Sequence, residues 1–355
     1  MSMTDTGSWI STVDAARMAD WIASKRTCVL LTHTKPDGDA LGSTLALART
    51  INLVHRTSGA VSAAECWYGA PMPEWAPSLM GQTKCRVIEY GQSPPGAFDP
   101  EGVVICDTGA WGQLDPFRAF IEERLDRTAI IDHHLQGDAE IADHRLLDTA
   151  AAAVTQPVAE VCCRLLGLDT PARLPVEIAT PLYVGLATDT GWFRHSNVDA
   201  RVMRLAADLL EAGVEHTSLM ELIEQRDRAS RLRLMHRALG TLEIVDDKHC
   251  AIMSLTTEDF REAGAAPGES GGFVDIPRTV PTIRVVALLT EQEDAQGVFT
   301  KVSMRSKPTG WDGQDPVDVN QVCQKLGGGG HARASGARIR APLAEAKKQL
   351  IDALP

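Results

Sequence analysis

Apolar runs and amphipathic stretches alternate along the first part of the chain. Residues 27–32, 103–106 and 129–131 are short runs rich in Val, Ile, Leu and Cys, which is typical of buried strands. Residues 40–49 and 150–166 have the apolar spacing and the small residues of packed helices. Strands that alternate with helices predict an α/β fold with a doubly wound, mostly parallel sheet.

The pattern changes after Gly240, where short apolar runs surround a glycine-rich loop. These runs lie at 242–245, 251–255, 283–290 and 298–305. They predict strands of a smaller α+β domain. A single long, charged helix is predicted at 219–239 and would connect the two domains. The predicted organisation is a first domain at 1–213, a helical connector at 214–240 and a second domain at 241–355.

Composition narrows the classes of function. The 355 residues carry a formal net charge of −12, which argues against coating of long or duplex nucleic acid but allows a small phosphorylated substrate in a locally positive pocket. No apolar run approaches the ~20 residues of a membrane span, and the first residues lack the pattern of a signal peptide. The eight cysteines show no paired spacing, so we expect reduced thiols and a cytoplasmic protein.

Residue types that bind metals follow the apolar runs at four places. They are His33, Asp37 and Asp39, then Asp107, then Asp132, His133 and His134, then Asp189. In an open α/β sheet such positions lie together at the carboxyl edge of the strands. Single residues have simpler explanations, because an Asp before a helix often caps it and an Asp-Thr-Gly sequence is often a turn. Four clusters that are costly to desolvate together predict a pair of metal ions.

The donor types predict which metal binds. Carboxylates suit hard divalent cations, and imidazole adds affinity for transition ions. Because no thiolate is among the ligands, we expect two Mn²⁺ ions rather than structural Zn²⁺, with Mg²⁺ or Co²⁺ as substitutes. Two such ions about 3.5–4 Å apart can activate a water and stabilise the attacking and leaving oxygens of a phosphate ester.

A second anion-binding feature is predicted in the second domain. Four consecutive glycines at 327–330 precede His331 and Arg333. Backbone N–H groups in such a stretch can approach an anion without interference from side chains. A flexible linker is the alternative explanation for the glycines. The cationic residues 305–307 at the end of another predicted strand add donors, and the combination favours phosphate recognition.

In their order along the chain, these motifs resemble those of the DHH phosphoesterase superfamily. The matching residues are His33, Asp37 and Asp39 with Gly42 and Ser43, then Asp107, then Asp132-His133-His134, then Asp189. The stretch 327–336 resembles the signature of the DHHA1 domain. Segments 189–194, 271–278 and 305–307 are similar to those of a short two-domain subfamily. That subfamily includes nano-RNase/pAp phosphatases and soluble cyclic-dinucleotide phosphodiesterases.

The resemblance implies a role for each of these residues. The implied metal ligands are His33, Asp37 and Asp107 for one ion, and Asp39, Asp107, His133 and Asp189 for the other. Asp107 would bridge the two ions. Asp132 and His134 would be catalytic residues that orient an imidazole and contact the substrate phosphate. The implied substrate-binding residues are Arg305, Ser306, Gly328, Gly329, Gly330, His331 and, in the first domain, Arg194.

The resemblance also implies an enzyme, a metal-dependent phosphoesterase of the oligoribonuclease and pAp phosphatase type. It would hydrolyse short oligoribonucleotides such as pGpG to 5′-mononucleotides and convert pAp (3′-phosphoadenosine 5′-phosphate) to AMP. The second domain would hold the distal part of the nucleotide and so limit its length. The expected partners are short RNA or a small nucleotide and a second copy of the chain as a homodimer, with no long duplex and no membrane.

Two alternatives stay open on the sequence. The same motifs also serve hydrolysis of cyclic di-AMP or of its linear product pApA. An inactive nucleotide-binding sensor would keep the fold but would not turn over a substrate. Dependence of phosphodiester hydrolysis on Mn²⁺ distinguishes the enzyme from the sensor.

Overall fold

The computed structural model describes residues 8–57, 63–92, 94, 98–308 and 315–355. The chain separates into two compact units, Met1–Gln225 and Arg226–Pro355. Each unit is built around its own six-stranded sheet.

The first unit contains a parallel sheet of short strands. The strands are β1 Thr27–Leu31, β2 Ala63–Gly69, β3 Cys85–Ile88, β4 Gly102–Cys106, β5 Thr128–Asp132 and β6 His144–Leu147. They lie in the order β3-β2-β1-β4-β5-β6, and every neighbouring pair is parallel. Every residue of β4 and β5 is buried, as expected for central strands that are covered on both faces. The predicted parallel α/β sheet is confirmed.

Helices cover this sheet on both sides. They are α1 Ala15–Ala23, α2 Gly38–Thr57, α3 Ala76–Met80, α4 Arg118–Glu122, α5 Thr155–Leu166, α6 Val176–Asp189, α7 Ala200–Glu211 and α8 His216–Glu224. In β1, Cys28 and Leu30 pack into the core under α1, α2, α5 and α6, whereas Val29 and Leu31 pack into the core that contains α4. This division follows from the two-residue period of a strand, and it makes the sheet doubly wound.

The strand order places a crevice between β1 and β4. From β1 the chain adds β2 and β3 on one side, and it then adds β4, β5 and β6 on the other. Connections that leave adjacent strands in opposite directions open a crevice at the carboxyl edge, where such sheets bind ligands. Residues 33 and 107 come directly after these two strands.

The second unit contains a mixed sheet. Its strands are β7 Glu243–Val245, β8 Cys250–Leu255, β9 Val285–Asp294, β10 Gly297–Ser306, β11 Gly329–His331 and β12 Ala334–Ile339, in the order β11-β12-β10-β9-β8-β7. The β8–β9 pair is parallel and the other described pairs are antiparallel. The helices are α9 Ala229–Gly240, α10 Thr257–Ala263, α11 Val319–Lys325 and α12 Leu343–Ala353. Helices α9 and α10 contribute to one core and α11 and α12 to another. The expected α+β fold of the second part of the chain is therefore present.

The prediction of one long helix at 219–239 is wrong. In the structure α8 ends at Glu224 and α9 begins at Ala229. The start of α9 is held by a neighbouring turn, because the Ser230 hydroxyl donates to Glu269 Oε2 at 2.6 Å and Arg231 donates to the Glu269 carbonyl. Tertiary contacts of this kind override the helix propensity of a charged stretch.

Several elements have no counterpart in the predicted pattern. Strand β6 contains His144 and the buried Arg145, so its sequence lacks an apolar run. Strands β11 and β12 lie in the glycine-rich stretch, and α12 was not predicted. The apolar residues of 61–67 also predict a strand, and the first two residues of that segment lie outside the described residues. Among the helices that are described, none has the length and apolar character needed to cross a membrane.

Candidate metal centre

His33 is the first polar side chain at the carboxyl edge of the sheet. Its Nδ1 lies 2.9 Å from the carbonyl oxygen of Thr34. Because a carbonyl only accepts, Nδ1 carries a proton, and Nε2 is the nitrogen that could bind a metal ion once it has lost its own proton. Nε2 lies 3.4 Å from Asp107 Oδ2 and 3.8 Å from Asp37 Oδ1. His33 therefore presents a ligand atom to two carboxylates.

The loop after β1 divides its two aspartates between different surroundings. Asp37 is exposed, and its Oδ1 accepts from the backbone N–H groups of Asp39 and Ala40 at 3.0 and 3.1 Å. It therefore caps the start of α2 while it faces His33, so the capping explanation and the ligand explanation describe the same residue. Asp39 is 1% exposed and points away from that cap, toward α5.

The buried Asp39 carboxylate lies at the N-terminus of α5. Its Oδ2 accepts from the N–H of Val154 at 2.6 Å and its Oδ1 from the N–H of Thr155 at 3.1 Å. These N–H groups have no acceptor within α5 and lie at the positive end of the helix dipole, which stabilises a carboxylate there. The same Oδ2 lies 4.0 Å from His133 Nε2.

A close crossing of α2 and α6 brings Asp39 toward Asp189. A Cβ atom on Gly42 would lie 2.3 Å from the carbonyl oxygen of Pro181, and a Cβ atom on Gly185 would lie 2.7 Å from Asp39 Oδ1. Larger residues at either position would force the two helices apart. Asp189 is the last residue of α6, so this crossing sets its distance from the loops of the sheet.

Asp107 lies at the centre of the site. Its Oδ2 is 3.4 Å from His33 Nε2 and its Oδ1 is 3.4 Å from His133 Nε2. The residue is 3% exposed, and its backbone is in the left-handed region, with φ of 64°. That conformation is uncommon for a residue other than glycine, and it is found at sites where surrounding contacts impose it. Here the N–H of Asp107 donates to the carbonyl of Ile131 on β5, at 3.1 Å.

His133 faces three carboxylates. Its Nδ1 lies 3.2 Å from the carbonyl oxygen of Ala151, so this nitrogen carries the proton. Its Nε2 is 3.4 Å from Asp107 Oδ1, 3.8 Å from Asp189 Oδ2 and 4.0 Å from Asp39 Oδ2. A backbone carbonyl behind the ring fixes the tautomer in the way that metal-binding histidines require.

Asp132 orients His134 rather than His133. Its Oδ1 accepts from His134 Nδ1 at 2.7 Å and from the backbone N–H groups of His133 and His134 at 2.7 and 3.3 Å. Its Oδ2 is buried and has no hydrogen-bond partner among the described residues. The expectation that Asp132 orients an imidazole therefore applies to His134, whose ring is half exposed.

Nearby carboxylates keep the imidazoles of this site protonated in the absence of other cations. Burial lowers the pKa of His33, but hydrogen bonds to Asp107 and Asp37 outweigh it and raise that pKa to about 10. Burial likewise opposes protonation of His133, while its hydrogen bond to Asp107 and the charge of Asp39 raise its pKa to about 10. The site therefore has an excess of negative charge that attracts cations.

The carboxylates show the same excess of negative charge in the site. Burial, followed by the charges of Asp107 and Asp189, raises the pKa of Asp39. Burial raises the pKa of Asp189 to about 6, although the neighbouring His133 opposes this. Buried carboxylates that repel one another are stabilised by a shared cation.

Ligand atoms meet in three overlapping groups. Within each group they lie within 4.8 Å of one another: His33, Asp37 and Asp107; Asp39, His133 and Asp189; and Asp107, His133 and His134. A pocket of about 360 Å³ opens onto these groups and is also lined by Thr34, Lys35 and Gln113. Imidazole and carboxylate donors without thiolate fit divalent ions such as Mn²⁺ or Mg²⁺, so the residues suit the predicted metals.

Lys35 and Gln113 were not predicted to line the site. Lys35 has a φ of 56°, which is strained for a residue that precedes a proline. The carbonyl of Gln113 accepts from the N–H of Thr34 at 2.9 Å, so a turn after β4 supports the loop after β1. The position of Lys35 between His33 and Asp37 was the one available signal, whereas nothing in the sequence indicates Gln113.

Arg194 follows a left-handed turn beyond Asp189. Gly191, Trp192 and Phe193 have φ values of 56°, 56° and 63°. The side chain of Arg194 is exposed, and its Nε donates to the carbonyl of Gly191 at 2.8 Å. The other guanidinium nitrogens of Arg194 could still donate to a substrate. Its role in substrate binding therefore stays a prediction.

The glycine-rich stretch of the second unit is not the anion cradle that its sequence suggests. The N–H groups of Gly327, Gly328 and Gly330 donate to Gln324 O, Cys323 O and Asn320 Oδ1, at 3.1, 2.8 and 2.8 Å. Gly329 pairs with Gly336 in the β11–β12 ladder. The expectation of free N–H groups is therefore wrong for these three glycines, because they close the end of α11 and lead into strand β11. The linker alternative is also wrong for the same reason.

Steric contacts explain why two of these positions are glycine. A Cβ atom on Gly328 would lie 2.1 Å from the carbonyl oxygen of Gly336. Gly330 has a φ of 152°, and its Cβ atom would lie 2.7 Å from the carbonyl oxygen of Ala334. Glycine is thus required for the close approach of β11 to β12. Any contact between these glycines and a substrate would come from the exposed main chain of β11.

The side chains predicted to bind substrate in the second unit differ in accessibility. His331 is exposed at the end of β11, and Arg305 is half-buried on β10, with its Nη1 donating to the Met304 carbonyl at 3.0 Å. Ser306 is 2% exposed, and its hydroxyl donates to the carbonyl of Ala332 at 3.4 Å. The alternation of side chains along β10 turns Ser306 inward, so a contact between its hydroxyl and substrate is not available.

Arg278 is a cation that the sequence analysis did not single out. Its Nη1 lies 2.5 Å from Asp275 Oδ1, and its Nε is buried without a hydrogen-bond partner among the described residues. Burial, together with the charge of Arg278, lowers the pKa of Lys307. The carbonyl of Lys307 accepts from Arg333 at 2.6 Å. Three cationic residues therefore lie close to one another in this unit.

Comparison with known proteins gives matches over most of the chain. Residues 27–186 match the DHH family, N-terminal domain, and residues 247–354 match the DHHA1 domain. The chain is 30% identical over 332 residues to the bifunctional oligoribonuclease and PAP phosphatase NrnA of Thermus thermophilus, which covers 92% of this chain and 88% of that protein. It is 24% identical over 313 residues to the protein of the same name from Bacillus subtilis, which covers 88% of this chain and 89% of that protein.

A solved structure shares the fold. The exopolyphosphatase-related protein from Bacteroides fragilis matches with a TM-score of 0.75 at 23% identity, over 96% of this chain and 94% of that chain. Both family domains lie in the expected order, and the site of the first unit has the histidine and aspartate donors that a metal-dependent family needs. The chain belongs to the DHH/DHHA1 family of phosphoesterases.

Proposed function

We propose that this protein hydrolyses short oligoribonucleotides to 5′-mononucleotides and also removes the 3′-phosphate of pAp. The observation that carries the proposal is the convergence of two imidazoles and four carboxylates at the switch point of the parallel sheet. Relatives that match over about nine tenths of the chain are named as bifunctional oligoribonucleases and PAP phosphatases, which supports this pair of substrates.

Two divalent ions fit the grouping of the ligand atoms. One ion would be held by His33, Asp37 and Asp107, and the other by Asp39, His133 and Asp189 together with the second oxygen of Asp107. When bound, such ions supply an activated water and stabilise charge on the attacking and leaving oxygens of a phosphate ester. Mn²⁺ is the ion we propose, because imidazole raises the affinity for transition metals over that for Mg²⁺.

His134 holds a proton beside the ligand groups. The hydrogen bond that His134 Nδ1 donates to Asp132 Oδ1, at 2.7 Å, raises the pKa of His134 and fixes Nδ1 as the inner nitrogen. The outer Nε2–H is therefore available to a phosphate oxygen or to the leaving oxygen of the substrate. Asp132 acts through His134, as a buried acceptor that keeps the ring oriented.

The second unit carries cationic side chains that can bind a phosphate. Arg305, His331 and the neighbouring group of Arg278, Lys307 and Arg333 are separate donors that can bind a phosphate. A limited number of such donors suits a substrate of one to a few nucleotides. The net charge of −12 disfavours long polyanions.

A side-by-side kinetic panel tests the proposal. Purified full-length protein is assayed with pGpG, a five-nucleotide RNA, pAp, pApA and cyclic di-AMP, each with Mn²⁺ and with Mg²⁺. We expect the highest kcat/KM for the linear dinucleotide, measurable AMP release from pAp, and higher rates with Mn²⁺.

Two outcomes of the panel would contradict the proposal. Preference for cyclic di-AMP over every linear substrate would assign the chain to cyclic-dinucleotide hydrolysis. Binding of nucleotides by calorimetry without turnover of any of them at saturating Mn²⁺ would make the protein a sensor.

A further inference from the structure

Trp9 lies between the two loops that carry Asp107 and His134. Its indole N–H donates to the carbonyl oxygen of His134 at 2.9 Å, across 125 positions of sequence. Its six-membered ring occupies the space beside Gly109 and Gly137. A Cβ atom would lie 1.8 Å from that ring at Gly109 and 2.6 Å from it at Gly137.

The ring explains why both loop positions are glycine. Neither Gly109 nor Gly137 has a φ in the left-handed region, so their backbones would accept any residue. The nearest atoms that a side chain would meet belong to Trp9 at both positions. The requirement for glycine is therefore steric, and it comes from one side chain that both loops enclose.

Direct hydrogen bonds join the same two loops. The N–H of Asp138 donates to the carbonyl of Gly109 at 2.7 Å, and the N–H of Trp111 donates to Asp138 Oδ2 at 2.7 Å. Trp9 thus adds a third connection, at the end of the loop nearest His134. The three connections link the loop after β4 to the loop after β5.

A buried arginine anchors the segment that carries Trp9. Arg145 of strand β6 is 1% exposed, and its guanidinium donates to the carbonyls of Ser8 and Ile10 on one side and of Ala139 and Ala142 on the other. The N–H of Thr12 donates to the carbonyl of Arg145 at 2.8 Å. Residues 8–13 are therefore attached along the edge strand of the sheet, and the position of the Trp9 ring is set by the fold.

We infer that Trp9 is a positioning residue of the candidate active site, which holds the Asp107 loop and the His134 loop at a fixed separation. This inference rests on the proposed phosphoesterase function of the site. Trp9 contacts no ligand atom itself, and it acts through the main chain of His134 and the two glycines. Misplacement of reacting groups by about 1 Å can cost about a hundredfold in rate, so loss of the indole is expected to reduce turnover.

The first test compares three tryptophan variants by kinetics and by hydrogen exchange. For Trp9→Ala we expect kcat to fall by about tenfold to a hundredfold, with KM changed by less than about threefold. Trp9→Phe keeps a ring without the N–H donor and should recover part of the loss. Trp21→Ala is the matched control, because Trp21 is half-buried in the same unit and packs on His144 and Lys25, away from both loops.

Hydrogen exchange gives a readout that does not depend on turnover. Peptides that cover residues 107–111 and 132–138 should exchange faster in Trp9→Ala than in wild type, while peptides of α6 and α7 are unchanged. Trp21→Ala should leave the exchange of both loops and the value of kcat at the wild-type level. Unchanged loop exchange in a folded Trp9→Ala protein would overturn the inference.

A second test uses the steric relation between Trp9 and Gly137. Gly137→Ala should displace the ring and reduce kcat in the same way as Trp9→Ala. When the ring is absent, the atoms that lie nearest to the added methyl group are gone, so the double variant should be no slower than Trp9→Ala alone. Independent, multiplicative losses in the double variant would contradict the proposed contact.

The two proposals fail in different ways. Wild-type protein that turns over none of the nucleotides would reject the phosphoesterase function, and hydrogen exchange would still decide whether Trp9 holds the loops. Normal wild-type turnover with full kcat in Trp9→Ala would reject only the positioning role.

Discussion

The candidate metal centre of the first unit and the glycine-rich edge of the second differ in how their polar groups are held. In the first unit, Asp39 and Asp107 are almost fully buried, and each accepts or faces donors from several elements. In the second unit, His331 is exposed at the end of a three-residue strand. One region is a largely buried site built from four segments of the chain, whereas the other presents single side chains to solvent.

This difference indicates a division of chemistry. Buried carboxylates that raise one another's pKa are stabilised by divalent cations, so the first region suits catalysis with metals. Exposed cations gain a modest amount from each phosphate contact, so the second region suits recognition. Substitutions in the first unit should therefore change metal binding and kcat, and those in the second unit should change KM.

Asp107→Asn should have the largest effect. Asn keeps the shape of the side chain and tolerates the left-handed backbone, but it removes the charge that faces both His33 and His133. Loss of a residue that hydrogen-bonds to a metal ligand typically lowers metal affinity or activity about 10–100-fold. Loss of a ligand that both ions share should therefore lower kcat/KM by more than about a hundredfold. Kinetics at saturating Mn²⁺ measures this effect.

The exposed Asp115 provides a matched control for this substitution. Asp115→Asn lies in the same connection after β4 and should keep wild-type kinetics. Turnover by Asp107→Asn within a fewfold of wild type would show that the site does not share this carboxylate.

Addition of Mn²⁺ to metal-free protein should stabilise one unit only. A ligand at about a hundred times its Kd adds about 2.7 kcal/mol to the free energy of unfolding, which corresponds to about 5–10 °C in Tm for a unit of this size. Hydrogen exchange in peptides of β4 and β5 should slow, while peptides of β9 and β10 should be unaffected. Asp107→Asn should abolish both the rise in Tm and the slower exchange. Equal slowing of hydrogen exchange in both units would contradict the division of chemistry.

Asp132→Asn should lower activity by about 10–100-fold and shift its pH dependence. In wild type the hydrogen bond that His134 donates to Asp132 raises the pKa of His134, so the cationic form persists to higher pH. Removing that negative charge lowers the pKa of His134, and activity should decline at a lower pH on the alkaline side of the profile. A pH–rate profile of kcat measures the shift.

A nearby acid serves as the control for this shift. Glu140→Gln removes an exposed carboxylate that bonds to the indole N–H of Trp111, and it should leave the profile unchanged. An alkaline limb that Asp132→Asn does not move would refute the proton-holding role of His134.

His331→Ala should have the smallest effect. Loss of one charge-assisted hydrogen bond of about 1.5 kcal/mol raises KM for a dinucleotide about tenfold, with kcat and Mn²⁺ binding unchanged. Steady-state kinetics and calorimetry with Mn²⁺ measure these quantities. His236→Ala is the control, because His236 is exposed on α9 of the same unit, and weakened Mn²⁺ binding in His331→Ala would break the comparison.

Much of the first unit was predictable because its signals are local. Buried strands such as β4 and β5 are continuous apolar runs, and parallel strands bring the residues that follow them to one edge of the sheet. The ends of these runs therefore indicate Asp107 and His133 without knowledge of the packing. Resemblance to a family added the assignment of ligands to individual ions, which stays a prediction.

Less of the second unit was predictable because its signals are ambiguous. A run of glycines can be a linker, an anion loop or a strand that approaches another backbone closely. Residues 327–330 proved to combine a helix end with an edge strand, and the N–H groups of Gly327, Gly328 and Gly330 already donate to other groups. The break between α8 and α9 also depends on a distant residue, Glu269.

The sequence by itself determined which residue types end each strand, and hence that two imidazoles and several carboxylates would meet at the carboxyl edge. Apolar periodicity and the order of the motifs along the chain are read from the sequence, so spacing is sufficient for this conclusion. Only the tertiary structure decided that Asp132 orients His134 and that Asp107 adopts a left-handed backbone between two histidines. It also decided that Trp9 lies between the Asp107 loop and the His134 loop. The Trp9 contact joins residues 125 positions apart, and the first two arrangements depend on side-chain and backbone conformations that no local pattern records.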